Sequence, residues 1–234
     1  MKGKRGLVMG VANERSIAWG IASALAAEGA ELAFSYQGEA FGKRVEPLAA
    51  SVGSDFLVDV DVTNDASMDA AFAALKDRWG TIDFVIHAIA FADKNELAGR
   101  FKDTSRENFK VAMDISCYSF IDVANRAADL MPEGGSIITL SYGGSNRVTP
   151  FYNVMGVAKA ALESSVRYLA NDLGPQGIRV NAVSPGPMKT LAGAAIGGAR
   201  KTFRHTEANS PMRQNATLEA VGGTATWLCS DYGN

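Results

Sequence analysis

The strongest constraint on this chain is alternation: from its first residues onward, short apolar runs rich in Val, Ile and Phe take turns with longer segments of helical period. Runs this short suit fully buried strands. Strands separated by helices are joined by crossovers and therefore lie parallel. The pattern predicts strands near 6–9, 31–36, 55–60, 83–90, 136–141 and 179–184. It predicts helices near 16–28, 39–51, 66–79, 105–131 and 152–173. Their stops and starts are marked by Gly29, by Asn64 as a cap, by Pro132 and by Gly174-Pro175. The implied fold class is α/β, a doubly wound parallel sheet of Rossmann type with strand order 3-2-1-4-5-6. Ligands of such sheets sit beyond the carboxyl ends of the strands, where the winding reverses between strands 1 and 4. Chemistry is expected after Met9, Ala90, Ser141 and Ser184.

Composition limits the partners. With 234 residues, 47% hydrophobic, and no linker or charge block, one domain spanning 1–234 with a single substantial core is the expectation. The 23 basic and 25 acidic residues are dispersed, which gives no cationic field for nucleic acid or anionic lipid. The longest apolar stretch, 84–92, is far too short to span a membrane, and 7–12 is too short for a signal-peptide core. Cys117 and Cys229 have no metal-ligand spacing, and no HExxH or CxxC pattern is present. Free thiols in a reducing cytoplasm, with no metal, are the simplest account.

The loop after strand 1 runs from Gly10 through Ser16 and Ile17 to Gly20 and enters a helix, where a pyrophosphate can meet free N–H groups at a positive dipole end. It is not a GxGxxG match: Ser16 replaces the middle glycine, and its hydroxyl could cap the helix and donate to a phosphate. An ordinary capped helix would read the same. Strand 2 ends at Gln37, which can bond ribose hydroxyls but brings no charge for a 2′-phosphate, so NADH is favoured over NADPH. Arg15 is the complication, as a base in the first loop that could reach such a phosphate or simply be solvated. Asp61 and Val62 follow strand 3 and could border an adenine, although Asp61 equally suits a helix-initiating turn.

Between strand 5 and the next helix lie Tyr142, Tyr152 and Lys159. The last two are seven residues apart, on nearly one helix face and about 10 Å apart along the axis, a gap that a ribose could bridge. Lys159 would then hold ribose hydroxyls and favour phenolate character on Tyr152. A packed Tyr and a snorkelling Lys are the bland alternative for such a pair.

These residues resemble the short-chain dehydrogenase/reductase superfamily, and within it the NADH-dependent bacterial enoyl-[acyl-carrier-protein] reductases. The resemblance spans 3–234. It is carried by Gly10-x5-Ser16-Ile17-Ala18-x-Gly20, by Tyr142-x9-Tyr152-x6-Lys159, by Tyr152-Asn153-Val154-Met155-Gly156, and by Arg179-Val180-Asn181-Ala182-Val183-Ser184-x-Gly186-Pro187. Most of the superfamily reduces ketones with Tyr-x3-Lys, whereas here Met155 stands four before Lys159 and the phenol is one turn earlier. In an enoyl thioester the developing charge lies on an oxygen about three bonds from the carbon receiving hydride, so a displaced donor is apt. The resemblance implies Tyr142 and Tyr152 as the catalytic pair with Lys159. It implies NAD contacts from Gly10, Ser16, Ile17, Gln37, Asp61, Val62, Ile89, Lys159, Met188, Lys189, Thr190, Leu191 and Ala192, and a substrate contact from Ala92. Residues 185–191 would shape the nicotinamide pocket. Ala90 and Gly143 depart from commoner family patterns and bear on pocket shape rather than chemistry.

Residues 190–212 read as a lid over the acyl chain whose Arg200, Lys201 and Arg204 meet an acidic carrier protein, or as an ordinary solvated helix. His87 and His205 read as structural. Apolar residues on several faces of the helices near 105–131 and 152–173 fit partner contacts, as family members form homotetramers, though a thick core would look alike. Family members continue past a helix near 217–229 into a final strand. A seventh strand is thus expected to be missing, strand 6 to form an exposed edge, and this form, a truncated or partly ordered chain, to be less stable than a longer one. The expected activity is hydride transfer from NADH to the β-carbon of a trans-2-enoyl thioester in fatty-acid synthesis. A carbonyl reductase and a non-catalytic dinucleotide sensor are the alternatives.

Overall fold

The computed structural model describes residues 1–190, 193 and 198–233. Six strands form one parallel sheet: β1 (Arg5–Met9), β2 (Glu31–Tyr36), β3 (Phe56–Asp59), β4 (Phe84–His87), β5 (Gly135–Leu140) and β6 (Ile178–Val183). Their order is β3-β2-β1-β4-β5-β6, as the alternation predicts, with β3 and β6 at the edges. The helices are α1 (Ile17–Ala27), α2 (Gly38–Ser51), α3 (Asp65–Trp79), α4 (Lys94–Leu97), α5 (Arg106–Met113), α6 (Ser119–Ala128), α7 (Asn153–Leu173), α8 (Ala199–Asn209) and α9 (Leu218–Cys229). Among the described residues no helix is long and apolar enough to cross a membrane.

The strands read as unbroken apolar runs because both faces are covered. On one side Leu7, Met9, Val85 and Ile137 pack with Phe72 of α3, Phe120 of α6 and Leu162 of α7. On the other, Val8, Phe34, Ile86 and Ile138 pack with Ile21 of α1, Val45 of α2 and Val221 of α9. Start signals hold where a side chain can reach the first turn: Asn64 accepts from the Ser67 N–H at 3.1 Å, and Ser105 from the Asn108 N–H at 3.1 Å.

Two expected elements differ. The strand expected over 83–90 ends at His87, because the chain must leave the sheet there to form the loop beyond β4. The helix expected over 105–131 is two α-helices joined by one wide turn, Asp114–Tyr118, of π type. Hydrophobic periodicity cannot register a single extra residue inside a continuous helix. The wide turn has a use. It lets the Ser116 hydroxyl take the Phe91 N–H at 2.9 Å and give its proton to the Phe91 carbonyl at 3.0 Å, which fastens the loop after β4.

Three residues later, Ser119 stands 2.8 Å from Nε2 of the fully buried His87, and Thr139 stands 3.1 Å from its Nδ1. His87 is therefore structural, as expected. Burial, and secondarily the charge of Lys159, push its pKa down to about 3 from 6.5. The folded pKa lies below the unfolded one, so the contribution of His87 is whole above pH 6.5 and is lost as pH falls toward 3. The loss should be about 1.4 kcal/mol per pH unit once the unfolded imidazole is charged. Urea melts at pH 7 and pH 5 should show His87→Gln losing less stability on acidification than the parent chain.

Candidate functional site

Parallel strands point all their carboxyl ends the same way, so the loops after β1, β2, β3, β4, β5 and β6 gather on one rim. The loop after β1 opens at Gly10, whose φ of +96° excludes ordinary side chains and whose imaginary Cβ would lie 2.2 Å from the Ala88 carbonyl oxygen. Backbone thus closes on backbone where the sheet reverses direction. Ser16 occupies the N-cap position of α1 in extended conformation but makes no side-chain cap bond. Its oxygen instead accepts from the Ala12 N–H at 3.0 Å and the Asn13 N–H at 3.1 Å, tying the loop into a ring. The capping expectation is corrected: the hydroxyl serves the loop, and its proton stays available to an outside acceptor. The amides of Ile17 and Ala18 open the helix with no acceptor inside it. Arg15 is exposed and lies 3.7 Å from Glu14, a solvated loop charge.

Gln37 is exposed at the end of β2, and its side chain bonds the Asp61 carboxylate beyond β3. Asp61 also accepts from the Thr63 N–H at 2.9 Å and hydroxyl at 2.7 Å, and these bonds hold its pKa below the usual carboxylate value. It is therefore the turn residue that sequence offered as one alternative, with Val62 packed against the core beside it. A recess of about 380 Å³ lined by Asn13, Glu14, Arg44, Pro47 and Leu48 adjoins this end. It brings in a base, Arg44, that the sequence did not single out.

At the other end, Tyr152 and Tyr142 meet edge to face, with ring centroids 5.1 Å apart. Tyr152 is 6% exposed and packs with Leu97, Ala112, Val154, Met155 and Ala158, while Ala92, Met113 and Tyr142 close the cluster. Burial raises the pKa of both phenols, and Tyr142 adds to the rise at Tyr152. Tyr152 is therefore held protonated, as a donor.

Lys159 is buried, and its Nζ donates to the Leu140 carbonyl at 2.7 Å. Burial lowers its pKa to about 8, against the opposing pulls of Cys117 and Glu163. The expected push of Lys159 on Tyr152 is absent here: the phenol responds to burial and Tyr142, while the lysine's charge is felt by His87. Seven residues place both side chains over one face, but the long Lys stem turns toward β5. Glu163, one helical turn past Lys159, takes the Ser141 hydroxyl hydrogen bond and was also missed. Its i, i+4 spacing from Lys159 was the available signal.

Of the remaining predicted residues, Ile89 and Ala92 follow β4 and are half-buried, Met188 is buried against the α1 and α9 face, and Lys189 is exposed. The Thr190 hydroxyl accepts from the Gly193 N–H at 2.9 Å. Leu191 and Ala192 lie outside the described residues. His205 is exposed on α8 beside Asn209.

A glycine-lined dinucleotide cradle at one end of a six-strand parallel sheet, with a phenol and a buried lysine on the helix after β5, defines an oxidoreductase of the short-chain dehydrogenase/reductase class. Within it, residues 10–234 match the model of the family described as enoyl-(acyl carrier protein) reductase, and the chain belongs to that family. It is 63% identical to enoyl-[acyl-carrier-protein] reductase [NADH] 2 of Rhizobium meliloti (strain 1021) over 231 residues, 99% of this chain and 86% of the relative. It matches the crystal structure of the enoyl-(acyl-carrier-protein) reductase of Anaplasma phagocytophilum with NAD at 53% identity and a TM-score of 0.95, covering 100% of this chain and 87% of that one. The Bacillus cereus enoyl-acyl carrier protein reductase, solved with NADP+ and an indole naphthyridinone, matches at 49% identity and a TM-score of 0.97, covering 99% and 91%.

The close fit around Tyr152 is testable at Gly144, where an added Cβ would stand 2.4 Å from the Tyr152 ring. Gly144→Ala should destabilise the protein by about 1–3 kcal/mol in urea melts, because a ring against backbone has nowhere to move.

Proposed function

We propose that this chain reduces the trans-2-enoyl thioesters of acyl carrier protein, with Tyr142, Tyr152 and Lys159 as its catalytic residues. The observation that carries this reading is Met155. It stands four before Lys159, where ketone reducers hold their phenol, and it is buried among apolar side chains with no proton to give. The donor sits one turn earlier, as Tyr152. A carbonyl oxygen bonded directly to the carbon receiving hydride would find no partner at Met155, whereas the thioester oxygen of a conjugated enoyl group reaches farther along α7.

The nicotinamide cofactor, when bound, supplies the hydride. The residues present fit it: the Gly10 turn leaves room for a pyrophosphate, the Ile17 amide and the Ser16 hydroxyl can donate to it, and Gln37 offers hydrogen bonds to ribose without charge. Asp61 and Val62 flank the adenine end. Ile89, Met188, Lys189 and Thr190, with Leu191 and Ala192, would surround the nicotinamide end. Tyr152, protonated and desolvated, donates a hydrogen bond to the enolate oxygen as charge develops there, an interaction that strengthens only in the transition state. Its edge-on contact with Tyr142 fixes the phenol's direction before substrate arrives. Lys159 anchors the nicotinamide ribose from below, and Ala92 leaves space for the acyl chain.

Residues 190–212 act as the substrate lid, with exposed Arg200, Lys201 and Arg204 offered to the acidic carrier protein. The exposed Phe109, Tyr118, Ile121, Val157 and Tyr168 along α5 to α7 support a homotetramer in the cytoplasm.

Purified protein should oxidise NADH with crotonyl thioester and leave a 3-oxoacyl thioester unreduced. Faster turnover of the ketone would overturn the assignment. Lys159 gives a second test. Its folded pKa of about 8 lies below 10.5, so the buried ammonium subtracts stability below pH 8, and the loss is recovered between pH 8 and 10.5. Each tenfold change in proton affinity is worth about 1.4 kcal/mol, so at neutral pH Lys159→Met should stabilise the cofactor-free protein by up to a few kcal/mol in urea melts. Calorimetry should show the same variant binding NADH more weakly.

A further inference from the structure

Tyr152 is bracketed by two residues in left-handed backbone, Phe151 at φ +63° and Asn153 at φ +36°. Neither is glycine, and Phe is a residue type that rarely adopts such angles. Conformations of this kind persist only where the surroundings over-determine them. At Phe151 little does so, since its side chain is 43% exposed. At Asn153 much does. Its side-chain Nδ2 donates to the carbonyls of Gly99 at 2.8 Å and of Glu96 and Leu97 at 3.2 Å each, the orphan acceptors at the carboxyl end of α4.

The segment it grips, 93–105, is already firm. The Glu96 carboxylate accepts from the Ser105 N–H at 2.9 Å, the Ser105 hydroxyl at 2.7 Å and the Asn108 amide at 3.1 Å. The Asn108 side-chain oxygen accepts from the Asp93 N–H at 2.9 Å, which closes the segment onto α5. Leu97, from the same segment, is buried against Tyr152. Asn153 is therefore a strut between a rigid block and the first turn of α7, one residue from the phenol.

We infer that Asn153 is a positioning residue for Tyr152: by clamping the carbonyls of Glu96, Leu97 and Gly99 it holds the left-handed turn that aims the phenol into the site. This rests on the catalytic role proposed for Tyr152. Asn153 itself touches no reacting atom; it acts through the direction of its neighbour. The chemistry calls for a short amide. A carboxylate of the same shape would set negative charge against three carbonyl oxygens, and glycine would keep the turn while losing the clamp.

Asn153→Gly and Asn153→Asp are the informative variants, the first sparing the backbone angle and the second sparing the shape. In each, kcat with crotonyl thioester should fall roughly ten- to hundredfold, the scale on which a misplaced catalytic group costs rate. NADH affinity by fluorescence titration should stay within about twofold, since no cofactor contact changes. Placed in a Tyr152→Phe background, Asn153→Gly should cost nothing further, because the group it aims is gone. With tyrosine labelled at the ring carbon bearing oxygen, the Tyr152 NMR signal, assigned by its loss in Tyr152→Phe, should shift in Asn153→Gly. An unmoved Tyr152 signal, or an equal kcat loss with and without the phenol, would overturn the inference. The NMR arm needs no substrate, so a parent protein inactive on crotonyl thioester would refute the proposed reaction and still leave Asn153 decided by that signal.

Discussion

The approach of Gly10 to the carbonyl of Ala88 is the contact on which the rest of the molecule turns. Chain that leaves β1 winds outward through β2 and β3, and chain that returns at β4 winds the other way through β5 and β6. At the reversal no helix covers the strand ends, so a crevice opens without any residue being spent to make it. The cradle after β1, Gln37 beyond β2, Asp61 beyond β3, the loop after β4 and the two phenols beyond β5 all reach that crevice because every strand points toward it. A side chain at position 10 would force β1 and β4 apart at their ends and with them the two halves of the rim.

Long regular features were legible in the sequence because burial on both faces writes itself as composition: five of the six strands fall within a residue or two of where apolar runs placed them. What escaped was decided by single residues. The wide turn at Asp114–Tyr118 leaves the apolar stripe of the helix intact on either side and so leaves no mark in the pattern. Ser16 stood at the expected cap, but two loop amides competed for its oxygen and won. Lys159 was placed on the right face, while the direction of its flexible stem was fixed by Leu140, a carbonyl that no spacing rule reports. Asn153 was visible only as a member of a motif, since its partners lie more than 50 positions upstream.

The interior is unusually polar on the side that faces the site. His87, Ser119 and Thr139 satisfy one another across β4, β5 and α6, while Lys159 and Tyr152 are desolvated on α7. Each of these groups costs stability in the folded chain, and each is kept where an apolar residue of similar volume would fit. The pattern is that of a site whose electrostatics were set in advance of ligand, with the surrounding sheet supplying the excess stability that makes this tolerable.

The wide turn between α5 and α6 also fixes a rotational phase. Each residue of a regular helix advances the side chains by about 100°, so the one extra residue in Asp114–Tyr118 offsets everything that follows by that angle. Ser116 meets the Phe91 backbone and Ser119 meets His87 only with the offset in place. A single-residue deletion there would restore ideal winding and yet swing α6 out of mesh with β4. Insertions and deletions that most helices absorb at a surface turn are therefore barred from this one, whose length is counted from both ends.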